Sequence, residues 1–192
     1  PTPVSALVHS STLVTAGVFL LFRFYPSLSC SYYFNFILLI LGTITALIAG
    51  RSAMVECDIK KIIALSTLRQ LGVIMVRIGI GAPFLSFFHL LTHALFKALL
   101  FLCAGTLIHL HGHSQDLRFM GNIGSMMPLL SSRLVISNLA LCGAPFIAGF
   151  YSKDIVLEFC LYSPMSFIVV IMFFFATGLT ASYTIRFLSC VV

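Results

Sequence analysis

His89-Leu-Leu-Thr-His93-Ala-Leu-Phe-Lys97 stands in the middle of an apolar stretch that runs from Ala82 to Leu110. On an α-helix, residues four and eight apart return to one face, so His89, His93 and Lys97 form a single stripe roughly 12 Å long. The stretch is long enough to cross a bilayer core. A Lys at bilayer depth is costly on its own, so such a row is tolerated only against other protein or along a water-filled path. The stretch therefore reads as a buried transmembrane helix that carries protons or ions.

The rest of the chain agrees with a membrane setting. Hydrophobic residues make up 60% of the 192 and charged residues 8%, far from the balance of a soluble domain. No polar segment is much longer than the one from His109 to Pro128, which leaves no room for a separate soluble domain. The net charge of +6 comes from single basic residues at segment ends, so it reads as a topological signal and not as a nucleic-acid surface. Cys30, Cys57, Cys103, Cys142, Cys160 and Cys190 form no C-x-x-C pair and read as small apolar residues. Pro1-Thr2-Pro3 leads into an apolar segment without a charged leader, and Val192 follows Arg186 closely without a polar tail; both ends are expected to be cuts in a longer chain.

Six apolar segments are expected to cross the membrane, at residues 4–25, 33–55, 59–80, 82–110, 129–162 and 165–188. Pro26, Pro83, Pro128 and Pro164 mark four of the junctions. Threading the chain back and forth puts Arg51, Lys60, Lys61, Arg118, Arg133 and Arg186 on one side, with Arg23 and Arg77 near the other. By the positive-inside rule the richer side is the cytoplasm or the mitochondrial matrix.

The fifth segment, about 34 residues, is too long for one straight span and too short for two with a loop. Its middle, Cys142-Gly-Ala-Pro-Phe-Ile-Ala-Gly149, combines Pro145 with two glycines that relax a helix. A broken helix is expected there, and such breaks survive at membrane depth only inside protein or beside a cavity. Lys153 and Asp154 follow at once; an unbroken helix would instead leave them snorkelling at an interface.

His89 and His93 at i and i+4 also match a zinc pair, but no carboxylate or Cys shares their face and a Lys completes the row. Structural packing of the same residues is the plainer alternative. His9, alone after the Pro1–Pro3 start, reads first as a helix-interface histidine. Arg69 and Arg77 repeat the eight-residue spacing and either face the same polar interior or, for Arg77, reach the membrane surface. Glu56 to Lys61 reads as a solvated turn, and the run from His109 to Gly121 as a polar loop whose three alternating histidines also fit a metal. No nucleotide-binding, nucleophile-elbow or haem motif is present, so no redox or hydrolytic site is expected within the chain.

Pro1-Thr-Pro-Val-Ser-Ala-Leu-Val-His-Ser-Ser-Thr12, Asp58-Ile-Lys-Lys-Ile-Ile-Ala-Leu-Ser-Thr67, Thr92-His-Ala-Leu-Phe-Lys-Ala-Leu-Leu-Phe101, Gln115-Asp-Leu-Arg-Phe-Met-Gly121 and Gly149-Phe-Tyr-Ser-Lys-Asp154, in this order, resemble the antiporter-like membrane subunits of respiratory complex I (NADH:ubiquinone oxidoreductase). Within them the chain is most similar to the chain 5 family, in which the Lys-Asp pair on the broken helix is characteristic. The resemblance implies an all-α, polytopic transmembrane bundle with an antiporter-like inverted-repeat fold and a discontinuous helix. This stretch would hold the last helix of the first five-helix repeat and all of the second. It also implies a hydrophilic axis through His9, His89, His93 and Lys97, with Lys153 and Asp154 at the exit half-channel. Arg69 and Arg77 depart from the family's usual pattern, which puts the local electrostatics of the axis in doubt.

The function expected from residues and resemblance together is proton translocation driven by electron transfer from NADH to ubiquinone elsewhere in the complex. This chain is expected to hold no cofactor or metal, with NADH, FMN, iron–sulfur clusters and ubiquinone on other subunits. Its partners would be other complex I subunits, lipid and protons, with no nucleic acid. The expected location is the mitochondrial inner membrane, multi-pass, with the bacterial plasma membrane as the alternative. The rival functions are a stand-alone multisubunit cation/proton antiporter and a scaffold that merely retains the stripe.

Overall fold

A computed structural model describes residues 12–162 and 167–191. These are helical almost throughout: α1 Leu13–Leu28, α2 Tyr32–Val55, α3 Ile59–Ile80, α4 Pro83–Leu110, a short α5 Ile123–Met126, α6 Pro128–Cys142, α7 Ala148–Tyr162 and α8 Phe167–Val191. Four of them, α2, α3, α4 and α8, are long and apolar enough to cross a membrane, while α1 and α6 are shorter apolar helices. Large apolar side chains such as Leu41, Ile48, Leu95, Phe175 and Ile185 point outward. A surface of this kind is stable in lipid and not in water.

Local chemistry sets the helix ends. Pro83 and Pro128 start α4 and α6, where a missing N–H costs nothing. Gly81 at φ 95° and Gly143 at φ 89° end α3 and α6 in the left-handed conformation that L side chains disfavour.

Helix α3 is the hub of the bundle. Arg69, Gln70, Ile74, Val76 and Ile78 on it are fully or almost fully enclosed. It packs on α2 so closely that a Cβ at Gly72 would sit 2.7 Å from the Gly42 carbonyl oxygen, a small-residue contact of the kind used between membrane helices. One apolar core joins α3, α4, α6 and α8 around Ile59, Leu107, Leu134 and Phe187, and a second joins α2, α3, α7 and α8 around Val76, Val156 and Phe173.

One end of the bundle is tied together by the chain's charged junctions. An antiparallel bridge pairs Asp58 with Asp116: Ile59 N–H donates to the Gln115 carbonyl and Leu117 N–H to the Cys57 carbonyl, each at 3.0 Å. Arg118 donates to Cys57 Sγ at 3.3 Å, and Arg186 donates to the Met54 carbonyl. The loops around Lys60 and around Arg118 therefore share one side, as the threading expects. Arg77 does not reach the opposite surface: it is 1% exposed and donates to the Ser152 carbonyl at 3.1 Å. Burial inside protein satisfies the guanidinium where lipid would not.

The fifth segment is interrupted as the sequence predicts. Helix α6 ends at Cys142, α7 begins at Ala148, and Gly143 to Ile147 form the link. No disulfide joins cysteines among the described residues; Cys103 and Cys160 are buried, whereas Cys30 and Cys190 are exposed.

Candidate functional site

The stripe on α4 faces inward. His89, His93 and Lys97 are each 3% exposed or less, and they look onto α3 and α7. Lys97 donates to Ser66 Oγ and, at 3.4 Å, to the Ile63 carbonyl, both on α3. Its ammonium is thus held on α3. A cavity of about 10 Å³ beside it is lined by Ser66, Asn138, Tyr183 and Thr184, enough for about one water.

One turn before it on α4, His93 has no hydrogen-bond partner on either ring nitrogen among the described residues. Its ring lies 6.2 Å from that of His89. His89 is fully engaged, with Nδ1 2.9 Å from Ser152 Oγ on α7 and Nε2 3.3 Å from Gln70 Oε1 on α3. Ser152 is the residue before Lys153, so the stripe is connected to the broken helix through one hydroxyl.

Lys153 spans the break. Its ammonium donates to the Leu141 carbonyl and, at 2.9 Å, to the Cys142 carbonyl, the last carbonyls of α6. A helix C-terminus presents unpaired carbonyls and the negative end of the dipole, so the cation there is chemically matched. Two glycines allow it. A Cβ at Gly149 would fall 1.7 Å from the Ala140 carbonyl oxygen, and one at Gly143 would press on Lys153 Cδ at 3.2 Å. Asp154 is half-buried and makes no ion pair with Lys153 among the described residues.

Two arginines complete the polar interior. Arg69 is fully enclosed, and Nε and Nη2 both donate to the Ala176 carbonyl on α8. It lies within electrostatic range of both Lys97 and Lys153. Gln70 Nε2, Arg69 Nη1 and Arg77 Nε and Nη1 have no hydrogen-bond partner among the described residues. Buried polar atoms are rarely left unpaired, so this cluster sets the interior apart from an ordinary apolar helix core.

The residues singled out from sequence are therefore brought together as one line, Lys97, His93, His89 and Lys153, with Asp154 beside it. His9 lies outside the described residues. Sequence reasoning missed Ser66, Gln70 and Ser152, which are uncharged and lie one helix away from the residues they touch; the only available signal was a polar residue in an apolar helix. The loop histidines stay apart from this line: His109 and His113 stack edge to face at 5.5 Å, and no three His, Cys, Asp or Glu side chains converge on a metal site among the described residues.

A transmembrane bundle with a discontinuous helix and a line of buried ionisable side chains meeting at its break defines an antiporter-like membrane protein. Comparison with known proteins agrees. The family described as NADH:quinone oxidoreductase/Mrp antiporter, TM, matches residues 1–180, and the chain belongs to it. The chain is 59% identical over all 192 residues to NADH-ubiquinone oxidoreductase chain 5 of Lumbricus terrestris, and 58% identical over 186 residues to that of Locusta migratoria. It covers 100% and 97% of itself in these matches but 33% and 32% of the relatives, so it spans about a third of their length. Among solved structures it is similar to a chain of the Mrp complex from Dietzia sp. DQ12-45-1b, with TM-score 0.89 and 30% identity over 98% of this chain and 22% of that one. A chain of the archaeal membrane-bound sulfane sulfur reductase shares the fold at TM-score 0.87 and 24% identity, over 100% of this chain and 40% of that one.

Proposed function

We propose that the chain forms part of a proton-translocating subunit of respiratory NADH:ubiquinone oxidoreductase in the mitochondrial inner membrane. The observation that carries this reading is the buried line from Lys97 to Lys153, which crosses between helices through the His89–Ser152 contact. The names of the animal relatives support the oxidoreductase assignment. In this reading six membrane segments surround the line, with Lys60, Lys61 and Arg118 on the matrix side.

Protons enter and leave the line by exchange with water, His89 and His93 carry them, and Lys97 and Lys153 change charge as they pass. Asp154 and, upstream, His9 extend the line. NADH, FMN, iron–sulfur clusters and ubiquinone bind other subunits, and the redox energy they release reaches this chain as a change in the charge state of its lysines. A stand-alone cation/proton antiporter is the second reading, favoured by the similarity to a chain of the Mrp complex at 30% identity.

Lys97 provides the test. Lys97→Met keeps the side chain's length and removes its proton, while Lys97→Arg keeps a charge that is not released. Both variants of the full-length subunit are expected to assemble, and both are expected to lose most proton translocation in reconstituted vesicles. Translocation at the unmodified rate in both means that the stripe is structural. Translocation that depends on an added alkali cation, and not on NADH oxidation, favours the antiporter.

A further inference from the structure

His89 differs from its neighbour in one respect. Both of its ring nitrogens have partners, and both partners can reverse their roles. With the proton on Nε2, the ring donates to Gln70 Oε1 and its Nδ1 accepts from the Ser152 hydroxyl. With the proton on Nδ1, the ring donates to Ser152 Oγ, and the hydroxyl turns to the Gly149 carbonyl 3.2 Å away. Gln70 then turns its amide so that Nε2, which has no other partner among the described residues, donates to the ring. With both nitrogens protonated, the ring donates to Ser152 Oγ and to Gln70 Oε1, and the hydroxyl again donates to Gly149. In all three states both ring nitrogens of His89 are hydrogen-bonded.

We propose that Ser152 and Gln70 are positioning residues for His89: by rotating a hydroxyl and turning an amide they keep its imidazole satisfied in either neutral tautomer and in the imidazolium. The proposal rests on the proton-relay reading of the stripe. A passing proton then balances as follows. Ser152 gives its hydroxyl proton to Nδ1 and takes one from a protonated water, Gln70 swings aside, and the imidazolium gives its Nε2 proton to a second water, which carries it off. The ring is left as the other tautomer, which the rotated hydroxyl and the turned amide hold. In a dry setting an unpaired ring nitrogen in any one state would trap the proton elsewhere. The charged and titratable groups that face the ring are Arg77 and Arg69 from α3, His93 on its own helix and Lys153 from α7.

Ser152 has a second connection. Its carbonyl accepts from Arg77, so the hydroxyl that serves His89 sits on a residue held from α3. That hold fixes the hydroxyl within reach of Nδ1 without using the hydroxyl itself.

The test uses the full-length subunit in its assembled complex, reconstituted in vesicles, with Ser152→Ala, Ser152→Thr, Gln70→Met and His89→Gln. Assembly, proton translocation per NADH oxidised, and the ratio of translocation rates in H2O and D2O are measured. Ser152→Ala and Gln70→Met are expected to assemble, to translocate about tenfold more slowly, a modest share of what positioned acid–base groups supply, and to show a larger isotope ratio because the proton step now limits. Ser152→Thr keeps the hydroxyl and is expected to recover most of the rate. The proposal is overturned if Ser152→Ala and Gln70→Met translocate normally while His89→Gln does not. A loss matched by poor assembly with an unchanged isotope ratio overturns it too. If His89→Gln itself translocates normally, the relay reading fails first and the proposal with it.

Discussion

Gly149→Ala is the sharpest probe of the broken helix. The added methyl would lie 1.7 Å from the Ala140 carbonyl oxygen and 2.9 Å from its carbon, both backbone atoms that cannot swing aside. Restoring even a 3.0 Å contact parts α6 and α7 by about 1.3 Å. A shift of that size takes the 2.9 Å bond from Lys153 to the Cys142 carbonyl beyond hydrogen-bonding range. Overpacking costs about 1–3 kcal/mol, and a lost hydrogen bond to a charged group adds about 1.5–3. The sum, about 3–6 kcal/mol, is a large part of the stability of an ordinary domain. Gly178→Ala is the control, because a Cβ there meets nothing within 4 Å; in a helix that change is neutral or stabilising by up to about 1 kcal/mol. Thermal unfolding in detergent reads the difference through the buried thiols of Cys103 and Cys160, which become reactive to a maleimide dye on unfolding, after the exposed thiols are blocked. Unfolding of Gly149→Ala at the same temperature as Gly178→Ala would refute the close packing of the two half-helices and the cradle it makes for Lys153.

Arg69→Met should leave thermal stability unchanged or raise it, since replacing a buried charge by an apolar side chain of similar length is often neutral or favourable; a large drop in the same thiol assay would show that the bond to the Ala176 carbonyl outweighs the burial of charge. Asp58 lies outside the membrane segments, where the Lys61 ammonium, hydrogen-bonded to it at 2.7 Å, holds its carboxyl below the usual carboxylate range. A lowered value contributes stability above the unfolded-state value and loses it as pH falls, so Asp58→Asn should unfold earlier than the unmodified chain at pH 7. The gap should close below about pH 4, and a gap that stays constant down to pH 3 would rule out the contribution.

The interruption of the fifth segment was legible because proline and glycine act locally: Pro145 cannot sustain a helical hydrogen bond wherever it sits. The stripe was legible for a similar reason, since the i, i+4 spacing of His89, His93 and Lys97 fixes their common face without knowledge of what that face meets. What they meet was not legible. Gln70 and Ser152 come from helices 19 and 63 positions away in sequence, and nothing local encodes that juxtaposition. Arg77 misled for the same reason: its place near a segment end fits a surface anchor, and only the packing of α7 against α3 gives the guanidinium a carbonyl to bind indoors. The pairing of Asp58 with Asp116 joins two loops that each look like solvated turns, because two residues of backbone pairing leave no periodic trace.

Lys153 is the bolt across a mechanical gap. Its ammonium reaches from one half-helix to the final carbonyls of the other, and charge-assisted hydrogen bonds are roughly twice as strong as neutral ones. Withdrawing the proton therefore slackens the bolt as well as discharging it. The distance between the two half-helices becomes a quantity that a single proton sets, and any force that pries them apart must in turn favour the proton's departure.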